Sequence, residues 1–361
     1  MTVQEQIPIW IDCDPGQDDI VAITLAAYNP HFKLVGLSTV HGNAELTYTT
    51  RNALRFLTAL NKMDIPVYPG SSSSLHGNID GAPEVHGKTG LNGSKLLPEP
   101  GYKAERHEDF FPALKKQIEK YNGKLCIAAI APLTNLALFF GKYPELKNQI
   151  HFLTVMGGGF KRFNRNEVAE FNIFDDSQAA HDIFEDEVLS QHILLAPLDT
   201  TSTVRATANI RKQVLGSESV VLASNFRALM YQLVHFFYLK VKERKGPDYV
   251  GPSVHDPVAI ASLLEVCGFE KKLNCRYISR AVDVIVDGKE DGATKMLAEN
   301  EFPGRTIKIL TDLNREKFWQ LILDAYAEAD KNAYINGLDR QKLIEGYKPC
   351  LLYTSPSPRD C

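Results

Sequence analysis

Short β-branched or apolar runs alternate with longer stretches of helical period from Ile7 to Pro197, and this alternation limits the fold more than any other feature of the chain. Parallel strands cannot be joined by tight turns, so each needs a covering helix before the next strand. The pattern predicts strands at residues 7–12, 34–40, 65–68, 125–130, 150–156 and 193–197. Helices are expected between them, among them 20–28, 52–60, 132–140 and 177–184. The fold class is therefore α/β: an open, mostly parallel central sheet flanked by helices, with any ligand site at the C-terminal ends of the strands.

Two stretches break the rhythm. Residues 70–106 are rich in Gly, Ser and Pro and read as a long loop, and loops of that length tend to carry function. Residues 217–245, with Phe236, Phe237 and Tyr238, read as a long core helix; a cap over a ligand site is the alternative. The chain has 361 residues, a size that large α/β sheets reach as one unit. Residues 1–330 are expected to form one domain and 331–361 a C-terminal extension. Residues 351–361 lack any apolar period and read as a disordered tail or a sequence artefact.

Composition narrows the partners. A formal net charge of −4 argues against general binding to nucleic acid, which needs a basic face. No apolar run reaches the roughly 18 residues of a membrane span, and nothing before Ile7 looks like a signal-peptide core, so a cytoplasmic location is expected. The six cysteines are scattered without a CxxC pair, which points to reduced thiols rather than a disulfide framework or zinc ribbon. Cys13 and Cys126 sit in apolar runs and read as buried, inert thiols.

The sharpest local feature is Asp12-Cys13-Asp14-Pro15-Gly16-Gln17-Asp18-Asp19, where the first strand hands over to a helix. Helix capping would account for one or two of these aspartates, not for four. Four carboxylates this close repel one another unless a cation neutralises them. Strand alternation puts Asp12 and Asp14 on one face, and Pro15-Gly16 turns Asp18 and Asp19 back towards them. With oxygen donors only, a hard cation is implied, Ca²⁺ or Mg²⁺ ahead of zinc. The spacing is not that of an EF-hand, because Gln17 and Ile23 stand where its Gly and Glu would be.

The motif resembles the signature of the nucleoside hydrolases of the inosine–uridine-preferring type. Further stations follow in order from about residue 7 to about residue 329: Thr39-Val40-His41-Gly42-Asn43, His86-Gly87-Lys88-Thr89-Gly90-Leu91, and Ala131-Pro132-Leu133-Thr134-Asn135. After them come Met156-Gly157-Gly158-Gly159, Val168-Ala169-Glu170-Phe171-Asn172, Val254-His255-Asp256-Pro257 and Lys317-Phe318-Trp319. The resemblance implies a Rossmann-like sheet and hydrolysis of the N-glycosidic bond of ribonucleosides, with Ca²⁺ as cofactor. It also implies a homodimer or homotetramer.

By the same resemblance, Asp14 touches the calcium and takes the proton of the attacking water. Asp19 and Asp256 look like further metal ligands, and Thr134 matches the position whose backbone carbonyl completes the cage. Asp18 is similar to the residue that binds the ribose hydroxyls, with Asp12 a supporting acid. Asn43, Asn164, Glu170 and Asn172 match ribose-binding positions, and Phe171 an apolar wall. His255 resembles the leaving-group acid, and His86 a residue lining the base pocket. The division suits the chemistry, since oxygen donors can stabilise an oxocarbenium-like sugar. Glu170 and Asn172, one residue apart, would share a face on an extended segment. His86 read without the resemblance is a solvated loop residue.

The sequence also departs from the family pattern. Ser202 stands where the family often has His, and Ala131 where it often has Gly. Residues 238–249 do not reproduce a tyrosine pair of some members; Val241 falls near one such place, with Tyr238 and Tyr249 as substitutes. These departures bear on the base, for which uridine or another pyrimidine is placed ahead of purines. Two alternatives stand beside this reading: a catalytically silent nucleoside-binding relative, and a Mg²⁺-dependent phosphohydrolase. The latter would want Ser or Thr where Gly16 lies.

Overall fold

The computed structural model describes residues 6–76, 81–298, 302 and 304–346. Its centre is an eight-stranded sheet in the order β3-β2-β1-β4-β5-β6-β10-β7. The strands are β1 (Ile7–Cys13), β2 (Phe32–Thr39), β3 (Val67–Pro69), β4 (Cys126–Ala129), β5 (Phe152–Met156) and β6 (Ile193–Ala196). From the C-terminal half come β7 (Arg276–Arg280) and β10 (Ile307–Asp312). β8 (Val282–Val284) and β9 (Thr294–Met296) form a separate antiparallel pair. All neighbours in the large sheet run parallel except β10 and β7, so the expected mostly parallel α/β class is the observed one.

Helices cover both faces, and the alternation within β1 shows why they must. Ile7, Ile9, Ile11 and Cys13 enter one apolar core, while Trp10 enters the other. The first core takes α1 (Asp19–Tyr28), α2 (Leu46–Ala59), α10 (Asn225–Lys245), α11 (Asp256–Val266) and α12 (Arg315–Asn332). The second takes α4 (Phe110–Tyr121), α5 (Thr134–Lys142) and α7 (Ser177–Phe184). Between these lie the short helices α3 (Pro83–His86), α6 (Phe171–Asp175), α8 (Leu198–Thr201) and α9 (Ala208–Leu215), and α13 (Arg340–Gly346) follows near the end. α1 is apolar nearly all round because it lies between the sheet and helices α11 and α12. Ile20, Val21, Ile23 and Leu25 are all buried, each contributing about 1.5–3 kcal/mol relative to exposure.

Chain order fixes the place of the site. From β1 the chain steps outward through β2 and β3, then returns to lay β4 on the other side of β1. That reversal is a topological switch point, and ligands bind in such crevices at the carboxyl ends of strands. The aspartate motif leaves β1 there.

Several boundaries differ from expectation. The stretch at 217–245 becomes helical only at Asn225, because the Ser224 hydroxyl accepts from the Arg227 N–H and sets the helix start. Residues 70–106 are mostly irregular as predicted, but they include α3, which carries His86. Residues 331–346 lie against α10: Ile335 is fully buried, and the Arg340 guanidinium donates to Asn225 Oδ1 and to the Val220 and Ala223 carbonyls. The tail at 351–361 is outside the described residues. Among those described, no helix is long and apolar enough to cross a membrane.

Candidate active site

Asp14, Asp18, Asp19 and Asp256 converge although up to 242 positions separate them in the sequence. Asp18 stands at the N-cap of α1 and Asp19 at its first position; Asp256 is the first residue of α11. Carboxylate oxygens of Asp18, Asp19 and Asp256 all lie within 4.8 Å of one another. Asp19 holds the motif's own turn in shape, accepting from the backbone N–H of Asp14 at 3.2 Å and of Gly16 at 2.8 Å. Asp14 accepts from the backbone N–H of Asn43 at 2.6 Å. Gly42 is required beside it, because a Cβ there would sit 2.0 Å from Asp14 Oδ2.

Burial and mutual repulsion push these acids towards their protonated forms. Asp18 rises to about 7, by burial and then by Asp19. Asp19 rises to about 6 by burial, against the opposing pull of its backbone donors. Asp14 and Asp256 lie well above the usual carboxylate range, by burial first and then by their acidic neighbours. The charge of Asp19 acts on both Asp14 and Asp256 and raises each. A buried set of oxygens that must otherwise hold protons fits a hard divalent cation.

Asp12 lies behind this group. It accepts from Ser38 Oγ at 2.5 Å and from Asn135 Nδ2 at 2.7 Å, while its Oδ2 is buried without a hydrogen-bond partner. Burial carries its carboxyl to about 7. Thr134, first residue of α5, donates its hydroxyl to Asp176 at 2.5 Å and lies 3.2 Å from His41 Nε2. His41 Nδ1 approaches Asp175 Oδ2 to 3.0 Å without hydrogen-bond geometry. Asn135, His41, Asp175 and Asp176 are a buried support that sequence reasoning gave no role. Asn135 entered only as the last residue of the Ala131–Asn135 station, and the Asp175-Asp176 pair carries no local signature.

The sugar-side residues divide. Asn43 Nδ2 points to Asp19 Oδ2 at 3.3 Å and to the Asp14 carbonyl at 3.1 Å. Glu170 is buried and accepts from the backbone N–H of Gly158 at 3.0 Å and of Ile173 at 3.2 Å; burial lifts it to about 7. Asp18 feels its charge. The shared extended face expected for Glu170 and Asn172 is not present. Glu170 is the N-cap of α6 and Asn172 is inside that helix, donating to the Met156 carbonyl at 3.1 Å. Phe171 is half-buried. Asn164 is exposed, and its side-chain oxygen accepts from the Phe171 N–H at 2.9 Å, next in the chain to the buried Glu170.

Both histidines are buried or nearly so and lie close enough to feel each other. His255, the N-cap of α11, gives its backbone N–H to Asp18 at 3.2 Å, and its Nδ1 lies 2.8 Å from Thr201 Oγ1. Burial lowers its imidazole to about 4. His86 is lowered to about 3, by burial and then by His255, so it is no solvated loop residue. Its ring faces Phe237 at 5.5 Å. Tyr238, weighed above as a substitute tyrosine, instead stacks on Tyr249 with Arg211 over its ring at 3.9 Å.

The chain matches the model of the inosine-uridine preferring nucleoside hydrolase family over residues 9–320. It belongs to that family. A uridine nucleosidase of Saccharomyces cerevisiae is 36% identical over 344 residues, covering 93% of this chain and all of the relative. The pyrimidine-specific ribonucleoside hydrolase RihA of Escherichia coli is 31% identical over 322 residues, 88% of this chain and 97% of the relative. Among solved structures, a purine-preferring ribonucleoside hydrolase from Gardnerella vaginalis superposes with a TM-score of 0.79 at 25% identity, covering 90% of this chain and all of that one. The nucleoside hydrolase is thus an enzyme, and its buried carboxylates meet at the switch point of its sheet.

Proposed function

We propose that this nucleoside hydrolase cleaves the N-glycosidic bond of ribonucleosides to free base and ribose, with uridine or another pyrimidine nucleoside preferred and Ca²⁺ as cofactor. The observation that carries the reading is the buried convergence of Asp14, Asp18, Asp19 and Asp256 beside His255. The relatives named for uridine and for pyrimidine ribonucleosides support the base preference.

In this reading Asp14, Asp19 and Asp256, with the Thr134 carbonyl, would hold the cation. When bound it supplies positive charge that grips sugar hydroxyls and eases ionisation of water. Asp14, held by the Asn43 N–H, accepts the proton of the attacking water. Asp18 binds the ribose hydroxyls, with Asn43, Asn172 and Glu170 on the sugar and Asp12 behind. Phe171 and Phe237 give apolar walls, and Asn164 orients Phe171 through its backbone. His86 lines the base. Burial keeps the His255 imidazole neutral at pH 7 until negative charge grows on the departing base; the ring then takes up a solvent proton and passes it to the base nitrogen, returning to its neutral form. A homo-oligomer is the proposed assembly and the cytoplasm the proposed location.

The test is release of ribose from uridine, cytidine, inosine and adenosine, with and without a calcium chelator. Release that chelation abolishes and Ca²⁺ restores supports the reading. Silence with every nucleoside, or phosphate release from nucleotides under Mg²⁺ instead, would refute it.

A further inference from the structure

At the opposite end of the sheet from the carboxylates, three side chains form a second donor cluster. Cys126 opens β4, His151 immediately precedes β5, and Cys267 caps the C-terminus of α11. One sulfur from each cysteine and one ring nitrogen of His151 lie within 4.8 Å of one another. Cys267 Sγ is 4.0 Å from His151 Nδ1, where a tetrahedral zinc would bring sulfur and nitrogen to about 3.5 Å. That pair would have to close by about half an ångström.

The surroundings favour a cation. Burial and His192 lower His151, leaving its ring neutral and able to act as a ligand. The ring is set by Phe152, at 4.3 Å, and its residue is anchored by the His151 N–H to Leu125 carbonyl bond of 2.7 Å and by His192 Nδ1 donating to the His151 carbonyl at 3.1 Å. Cys267 lies at the negative end of the α11 dipole, which also favours positive charge. Cys126 is fully buried but His151 is exposed, so an ion has a route in.

We propose that Cys126, Cys267 and His151 form a zinc site, or one for a similar thiophilic cation, with solvent in the fourth position. Sulfur and nitrogen select a softer ion than the all-oxygen cluster does. The two sites stand at opposite ends of α11, about 16 Å apart by its eleven residues. A cation here would tie the end of that helix to β4 and β5, bracing the element that begins with Asp256. Cys126 is then a ligand, not the inert thiol its apolar run suggests.

The test uses the full chain in excess Ca²⁺, titrated with Co²⁺ and then Zn²⁺. The expected result is one equivalent of Co²⁺ with a thiolate charge-transfer band, displaced by Zn²⁺ and accompanied by a higher melting temperature. Cys267→Ser and the exposed His151→Gln should each weaken Zn²⁺ binding by about 10- to 100-fold, while Cys275→Ser should not. No thiolate band in the wild type, or a band unchanged in both variants, would overturn the proposal. So would a Cys126–Cys267 disulfide that forms in air despite zinc.

Discussion

His86 Nδ1 donates to Gln17 Oε1 at 2.6 Å, and the direction of that bond is fixed. The Gln17 amide hydrogens go to the His86 and Asn92 carbonyls at 3.3 and 2.9 Å, so its oxygen faces the ring and can only accept. The imidazole therefore carries its proton on Nδ1 and presents Nε2 as an acceptor. Gln17 lies inside the aspartate motif and ties that motif to the loop at 81–106.

Replacing Gln17 with Leu strands the Asn92 carbonyl and one ring N–H, while the His86 carbonyl keeps the Asn92 N–H at 3.1 Å. Each buried orphan is worth about 1–3 kcal/mol, so denaturant unfolding should show a loss of at least that size. KM for the nucleoside should rise more than kcat falls, because His86 loses its orientation. A variant with wild-type stability and KM would show that the contact positions nothing.

Asp14→Asn separates chemistry from folding. Removing the proposed base should lower kcat by about 10²- to 10⁴-fold in the ribose-release assay. Burial and Asp19 disfavour the Asp14 charge, so the variant should melt no lower than the wild type in the presence of chelator. Near-normal turnover would end the assignment.

Glu170 gives a pH signature. Its carboxyl is raised from 4.5 to about 7 in the folded protein, so the native state binds that proton more tightly than the unfolded chain. This contribution is fully present below the unfolded value and is lost as pH rises towards about 7. Glu170→Gln has no such loss. With chelator present, the variant's melting temperature minus that of the wild type should grow from about pH 5 to about pH 8; a flat difference would contradict the shift.

Thr201→Val keeps the shape of the side chain but removes the oxygen beside His255 Nδ1. One hydrogen bond of about 0.5–1.5 kcal/mol predicts a fall in kcat of about 3- to 10-fold. KM should change little, since the hydroxyl orients the ring rather than the substrate. Equal kcat values by steady-state assay would show that His255 does not need this partner.

The sequence by itself determined six strands of the parallel sheet, a site at their carboxyl ends and the aspartate motif, while β7, β10 and the strand order that makes the switch point came from the structure. Each is written locally: apolar alternation with period two builds β1, and Pro15-Gly16 turns the chain where Asp18 begins α1. Only the tertiary structure decided that Asp256 closes on Asp19, that Asn135 supports Asp12 and that Asn164 holds the Phe171 N–H. It also decided that Phe237, rather than a tyrosine, meets His86, and that Cys126, His151 and Cys267 share one corner. Such contacts join residues many positions apart, and packing of helices on both faces of the sheet sets their distances. Local periodicity carries no record of those distances.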